Sequence, residues 1–311
     1  MKQAIIDIGS NSMRLTLYEV NGAKFKIFFK EKIMAGLAGY IENGVLSAEG
    51  IECAYTGLLD FREMLETLGI ERVAIFATAS LRNIKNTQEA VTAIKVATGY
   101  TVEVIGGEEE ASFGYLGAML EINLPDGVFV DIGGASTEIV PFENGQMLAA
   151  ASFEVGSLSL YRECVKNILP GGGSLKRIRK TIAEKIDQKS FFPFAKQSPL
   201  VCVGGTARAA LKLARKLYDL PIGCHSVSRE QLESLCALLY RGDRTATELV
   251  LKLVPDRIHT LIPGMMILQH ICALFQADEV IVSKYGVREG YLCRKIIQLE
   301  QNITPTPKTE N

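Results

Sequence analysis

Val128-Phe129-Val130-Asp131-Ile132-Gly133-Gly134-Ala135-Ser136-Thr137-Glu138-Ile139-Val140 decides how the chain is read. Apolar residues end in an aspartate, two glycines and small residues follow, and a second apolar pair closes the stretch. This is the pattern of a strand, a tight turn with bare backbone, and a returning strand. Glycines let a backbone approach a ligand closely, and successive N–H groups in such a turn form an anion-binding concavity. Asp131 and Glu138 place two carboxylates beside it. A hard cation such as Mg²⁺ binds through one or two carboxylates together with substrate phosphates. Alone, the stretch reads equally well as an ordinary glycine-rich hairpin.

The pattern occurs twice. Ala4-Ile5-Ile6-Asp7-Ile8-Gly9-Ser10-Asn11-Ser12-Met13-Arg14-Leu15-Thr16-Leu17 has the same layout, and aligning Asp7 with Asp131 also matches Ile8 with Ile132, Gly9 with Gly133 and Ser12 with Ser136. Asn21-Gly22 and Asn144-Gly145 follow at nearly equal distances, and Asn-Gly is a strong hairpin signal. Two such units more than a hundred residues apart predict two related domains facing each other across a cleft, with a phosphate chain between the two loops. A third element, Leu200-Val201-Cys202-Val203-Gly204-Gly205-Thr206-Ala207-Arg208, again runs strand, Gly-Gly, small hydroxyl residue, helix. A helix N-terminus behind glycines favours anions.

With 311 residues the chain is long enough for two cores. Seven cysteines without a C-x-x-C pair predict reduced, mostly buried thiols and a cytoplasmic protein. The three histidines, His225, His259 and His270, lack ligand spacing, which argues against zinc. The N-terminus has no signal-peptide layout. The most apolar long window, 258–277, contains His259, Gln269 and His270 and reads as a buried helix, not a membrane span. Charge is uneven: residues 1–124 hold 11 Lys+Arg against 16 Asp+Glu, and residues 125–311 hold 23 against 19. A basic half suits a polyanion.

Hydrophobic periodicity predicts a helix with Ile51, Ala54, Leu58, Phe61, Leu65 and Leu68 on one stripe and Gly69 past its end. Strands are expected at 72–77 and 100–105, a turn carrying Arg82 between them, and a helix over 87–98. Glu108-Glu109-Glu110 opens a further helix with Phe113, Leu116 and Leu120 on its apolar side. Such an acidic run suits a helix N-terminus, and one carboxylate beside a phosphate site suits a general base. Spacing does not say which of the three. Arg162 to Lys189 is a basic region interrupted by Pro170-Gly171-Gly172-Gly173, which reads as a surface loop. Asp256-Arg257 precedes an apolar helix expected to break at Pro263-Gly264. Alternating strands and helices give an α/β chain divided into residues 1–124 and 125–301, with a disordered tail over 302–311 and a last helix able to pack back on the first domain.

The duplicated aspartate–glycine loops and the Gly-Gly-Thr turn resemble those of the actin, sugar kinase and heat-shock chaperone superfamily. Within it the chain closely resembles the exopolyphosphatase / guanosine pentaphosphate phosphohydrolase family. The matching residues are Asp7 through Ser12, Ala77-Thr78 through Arg82 and Asn86, Glu109-Glu110-Ala111, Asp131 through Gly134, Ser136-Thr137-Glu138, Gly204-Gly205-Thr206 and Arg288-Glu289-Gly290. The resemblance implies two actin-like (ribonuclease H-like) domains and Mg²⁺-dependent hydrolysis of a terminal phosphoanhydride. It implies Glu110 as catalytic base, Glu138 as water-orienting carboxylate and, with Asp7 and Asp131, as metal ligand. It implies phosphate binding by Ser10, Asn11, Ser12, Gly133, Gly134, Ser136, Gly204, Gly205 and Thr206, with Arg82, Arg14 and Arg257 contacting substrate phosphates. Ala135 stands where the family usually has a third glycine, and the chain lacks the added helical domains of longer members.

The reading that follows is a Mg²⁺-dependent exopolyphosphatase, with guanosine pentaphosphate hydrolysis as the alternative and a non-catalytic guanosine tetraphosphate-binding regulator as a further one. A sugar-kinase-like transferase lacks a segment for a sugar-binding domain. The expected partners are polyphosphate or these guanosine nucleotides, with no nucleic acid and no membrane; a homodimer is left open.

Overall fold

A computed structural model describes residues 1–187 and 199–297. The expected tail, and Lys189 of the basic region, fall outside the described residues. The chain divides into two compact units, Met1–Glu110 and Ala111–Asn311.

In the first unit, β1 (Lys2–Ile8), β2 (Met13–Asn21) and β3 (Lys24–Ile33) form an antiparallel meander, followed by the short hairpin β4 (Ile41–Glu42) and β5 (Val45–Leu46). Then come α1 (Ala48–Thr67), β6 (Val73–Ala77), α2 (Ala79–Arg82), α3 (Thr87–Thr98) and β7 (Glu103–Val104). The sheet order is β3-β2-β1-β6-β7, with β6 parallel to β1 and β7 parallel to β6. Ala4, Ile6, Ile8, Met13, Leu15 and Leu17 point to one face, where they meet Ile51, Ala54, Leu58, Phe61 and Leu65 of α1. Each of the Ile, Leu, Met and Phe side chains among these contributes about 1.5–3 kcal/mol on burial. Ser47 caps α1, accepting a hydrogen bond from the Gly50 N–H at 3.2 Å. Of the expected stripe only Leu68 departs: it lies past the helix end and is 43% exposed.

α4 (Gly107–Met119) straddles the division between units. Its first turn, with the three glutamates, belongs to the first unit and the remainder to the second. The sequence boundary at 124/125 lies at the turn beyond this helix. The expected apolar side was drawn too narrowly. Ala111, Phe113, Tyr115 and Ala118 are buried while Leu116 and Leu120 are only half-buried, because this helix is enclosed on more than one side.

The second unit repeats the topology. β8 (Gly127–Ile132), β9 (Thr137–Glu143), β10 (Gln146–Met147) and β11 (Ala151–Phe153) are antiparallel neighbours. α5 (Ser157–Cys164), α6 (Gly172–Ile186), β12 (Leu200–Val203), α7 (Gly204–Leu217), β13 (Ser226–Ser228), α8 (Arg229–Arg241), α9 (Arg244–Leu253), α10 (Leu261–Leu274), β14 (Glu279–Val282) and α11 (Val287–Tyr291) follow. The sheet runs β10-β9-β8-β12-β14-β13, with β11 also on β9. β12 lies parallel to both β8 and β14. One face, through Val128, Val130, Leu200 and Cys202, packs on α7, α8 and α10. The other, through Phe129, Val140, Phe142, Val201 and Val203, packs on Ala111, Tyr115 and Ala118 of α4. α10 is unbroken, against expectation. Pro263 falls in its first turn, where no intrahelical N–H bond is lost.

The last helix packs on α4. The two backbones cross so closely that a methyl group at Gly290 would overlap the Phe113 carbonyl, and one at Gly117 would overlap the Gly286 carbonyl. Phe113 and Tyr291 meet edge to face with centroids 5.6 Å apart. Glu289 of the Arg288-Glu289-Gly290 motif is a cap, accepting from the Gly286 N–H at 2.9 Å. All seven cysteines are free thiols. Burial pushes Cys236 and Cys293 up to about 11 and Cys272 up to about 12, so these thiols are protonated and unreactive near neutrality.

The crossing predicts that Gly290→Ala lowers stability by about 1–3 kcal/mol, the usual cost of overpacking where no side chain can yield. Gly173→Ala, at an exposed position of α6 with nothing within 4 Å, should instead raise it by about 0.4–1 kcal/mol. Urea midpoints of the two variants should move in opposite directions.

Candidate active site

In both units the sequence-marked residues gather at the carboxyl ends of parallel strands, where open α/β sheets place their ligands. In the first unit these are β1, β6 and β7; in the second, β8, β12 and β14.

After β1 the loop at residues 9–12 is closed by the Gly9 N–H donating to the Ser12 carbonyl at 3.2 Å. The Ser10 and Asn11 carbonyls accept from the N–H groups of Ala38 and Gly36 at 2.9 and 3.0 Å. With these acceptors tied behind it, the turn is suited to an anion rather than a cation. Ser10 and Ser12 are buried and Asn11 half-buried. Asp7 lies directly across from Arg14, and Arg14 across from Lys32, so these three form a row on the sheet face away from α1.

Arg82 ends α2, and Glu110 lies in the first turns of α4. The Arg82 Nη1 donates to Glu110 Oε2 at 2.7 Å and to the Ile105 carbonyl at 3.1 Å. Among the three glutamates Glu108 is exposed, Glu109 half-buried and Glu110 only 7% exposed. The structure therefore separates what spacing did not: Glu110 is the enclosed carboxylate joined to the arginine. Asn86, part of the same sequence signature, is a clamp instead. It accepts from the Leu46 N–H at 2.9 Å and donates to the Leu46 carbonyl at 3.0 Å.

The loop after β8 repeats the first. The Gly133 N–H donates to the Ser136 carbonyl at 2.9 Å, so Ala135 leaves the closing bond intact. The carbonyls of Gly133 and Gly134 accept from the N–H groups of Ser157, Leu158 and Ser159 at 2.8–3.0 Å; these residues open α5, a device that the sequence reading did not find. Ser136 is buried. Asp131 and Glu138 are register partners across β8 and β9, on the same sheet face. Glu138 is 1% exposed and accepts from the Ser152 hydroxyl at 2.7 Å.

Gly204 opens α7 with φ of 81°, and a methyl there would overlap Asp131 Oδ1. A methyl at Gly205 would overlap the Arg257 guanidinium. Thr206 is buried. The second unit thus brings Asp131, Glu138, the two Gly-Gly turns and Arg257 together. Two carboxylates directly opposite on adjacent strands repel each other, an arrangement that fits Mg²⁺, which takes one or two carboxylates and keeps its other positions for water and phosphate oxygens. Among the described residues no group of three or more His, Cys, Asp or Glu forms a closed cage. The basic region is partly committed elsewhere: Arg177 donates to the Cys164 carbonyl, Lys185 to the Glu154 carbonyl, and Lys180 pairs with Glu184.

The model of the Ppx/GppA phosphatase family matches residues 16–298. This chain belongs to that family, whose members hydrolyse phosphoric anhydrides. It is 26% identical to a putative exopolyphosphatase of Haemophilus influenzae over 96% of this chain and 92% of that one. It is 27% identical to a guanosine-5'-triphosphate,3'-diphosphate pyrophosphatase of Vibrio parahaemolyticus, over 96% of this chain and 60% of that longer one. The crystal structure of an exopolyphosphatase from Cytophaga hutchinsonii superposes with a TM-score of 0.83 at 22% identity, covering 96% of this chain and 99% of that one. The fold is the two-domain actin-like α/β fold.

The family resemblance implies Glu110 as the base, and on that expectation Glu110→Gln lowers phosphate release by about 10²–10⁴-fold, the range of general-base catalysis, with little change in KM. Glu108→Gln and Glu109→Gln should cost less than tenfold by the same comparison. Steady-state kinetics of the three variants test the assignment; an equal loss in Glu109→Gln would move the base.

Proposed function

We propose that this chain is a Mg²⁺-dependent exopolyphosphatase. The observation that carries the reading is the pair of matched loops, each with its carbonyls tied back, one beside Arg14 and the other beside Asp131 and Glu138. Phosphoryl transfer with a metaphosphate-like transition state needs mainly positioning and charge neutralisation, and such loops with arginines and carboxylates are suited to both.

The roles follow from the chemistry of each group. Asp131 and Glu138, opposite each other in the second sheet, would hold Mg²⁺, which when bound neutralises charge on the phosphate oxygens. Ser10, Asn11, Ser12, Gly133, Gly134, Ser136, Gly204, Gly205 and Thr206 bind phosphate. Glu110 accepts a proton from the attacking water. Arg82 holds that carboxylate in place and contacts the terminal phosphate. Seven free thiols support a reducing, cytoplasmic setting, and among the described residues no helix is long and apolar enough to cross a membrane.

Polyphosphate is the preferred substrate. The more basic second half and the row of Arg14 and Lys32 suit a repeating anion, and no tryptophan is present to stack a base. Guanosine pentaphosphate is the second reading, favoured by the Arg257 guanidinium lying against Gly205, where it can take the phosphates of a compact nucleotide.

EDTA should abolish phosphate release and Mg²⁺ restore it; full turnover after thorough chelation would exclude the metal. With both substrates assayed in parallel, kcat/KM should be higher for polyphosphate. It should also fall as salt is raised through about 0.1 M, where the Debye length is about 10 Å. A higher value for guanosine pentaphosphate, or indifference to salt, would reverse the substrate preference.

A further inference from the structure

Ser152 is not part of the duplicated loops and carries none of the roles above, yet its hydroxyl lies 2.7 Å from Glu138 Oε1. The contact is built into the sheet. β11 pairs antiparallel with β9, with Ser152 directly opposite Glu138, and Glu138 is directly opposite Asp131 on β8. Direct partners in antiparallel strands share a face, so Asp131, Glu138 and Ser152 form one row across three strands. Ala151 and Phe153, the neighbours of Ser152, turn to the opposite face and are buried in the main core. Their burial fixes the register of β11, because a slip of one residue would send all three side chains to the wrong faces.

A carboxylate on a strand rotates about its last bonds and presents either oxygen. A donor fixed by the neighbouring strand removes that freedom: with Oε1 accepting from the serine, the carboxylate is held in one orientation on its sheet face. We propose that Ser152 is a positioning residue, a hydroxyl that orients Glu138 for divalent-cation binding and for catalysis. The inference rests on the reading of Glu138 given above. It adds a residue acting through Glu138, which does not itself touch substrate or metal.

Outer-shell partners of metal-binding carboxylates typically change metal affinity or activity by about 10–100-fold when removed. The test compares wild type, Ser152→Ala, Ser152→Thr and Glu138→Gln in two measurements. One is direct Mn²⁺ binding to the purified full chain by calorimetry or electron paramagnetic resonance, without substrate. The other is kcat and KM for polyphosphate with Mg²⁺. Ser152→Ala is expected to weaken Mn²⁺ binding about tenfold and to lower kcat about 10–100-fold, with KM within about twofold. Ser152→Thr, which keeps the hydroxyl, should recover most of both. Thermal unfolding without metal should show Ser152→Ala folded, separating lost orientation from lost structure.

Wild-type Mn²⁺ binding and kcat in Ser152→Ala would overturn the inference. So would equal damage in Ser152→Ala and Ser152→Thr, which would mark a packing role. If wild type releases phosphate from neither substrate, the proposed activity fails while the Mn²⁺ measurement still decides the serine. If Glu138→Gln leaves both measurements unchanged, the serine's role falls with that of Glu138.

Discussion

The antiparallel register of β8 and β9 sets Asp131 directly opposite Glu138, and much of the second unit is arranged around that opposition. Like charges facing each other across strands cost up to about 1 kcal/mol, and a carboxylate as enclosed as Glu138 needs partners that accept its charge. The surroundings limit the cost without removing the charges. Ser152 donates to Glu138 from the next strand. Gly204, with its left-handed backbone, leaves the space that the Asp131 carboxylate fills. The opening residues of α5 hold the carbonyls of Gly133 and Gly134 away from the same turn. Two carboxylates held on one face are also the kind of oxygen donors that a hard cation takes.

Much of the fold was legible because its strongest signals are local. The run Ala4-Ile5-Ile6-Asp7-Ile8 is apolar on both faces, as a central strand must be, and its repeat at 128–132 announced the second unit. The helix over 87–98 has the bounds read from the sequence, with Gly99 closing it in the left-handed conformation. Where the reading missed, tertiary packing outweighed local pattern. Tyr100–Ile105 shrank to the two-residue β7 because only Glu103 and Val104 pair with β6. Asn43-Gly44, which the sequence reading did not single out, is the turn of the hairpin between β4 and β5, with both residues at positive φ. It is the same dipeptide signal that was recognised at Asn144-Gly145.

The site was legible in its residue types and less so in its pairings. A triplet of glutamates in sequence carries no information on which is enclosed. That depends on Arg82, 28 residues earlier, arriving from the end of β6. Ser152 was invisible for a related reason. Its short strand has no hairpin signal linking it to β9, and a serine between an alanine and a phenylalanine is an ordinary alternating strand. The clamp from residues 157–159 onto the second loop is likewise made by backbone N–H groups, with the Ser157 hydroxyl also donating to the Gly133 carbonyl at 3.0 Å, and no local motif records it.

The two units also differ where their repeats most resemble each other. The offset that aligns Asp7 with Asp131 aligns Arg14 with Glu138. The first sheet therefore carries the row Asp7, Arg14, Lys32, and the second carries Asp131, Glu138, Ser152. The turns closing beside these rows are alike, with the same N–H to carbonyl bond three residues on, so backbone geometry does not distinguish their ligands. The charge at one strand position does. An arginine beside the first turn makes that row attractive to phosphate oxygens, while a glutamate beside the second makes that row attractive to a hard cation.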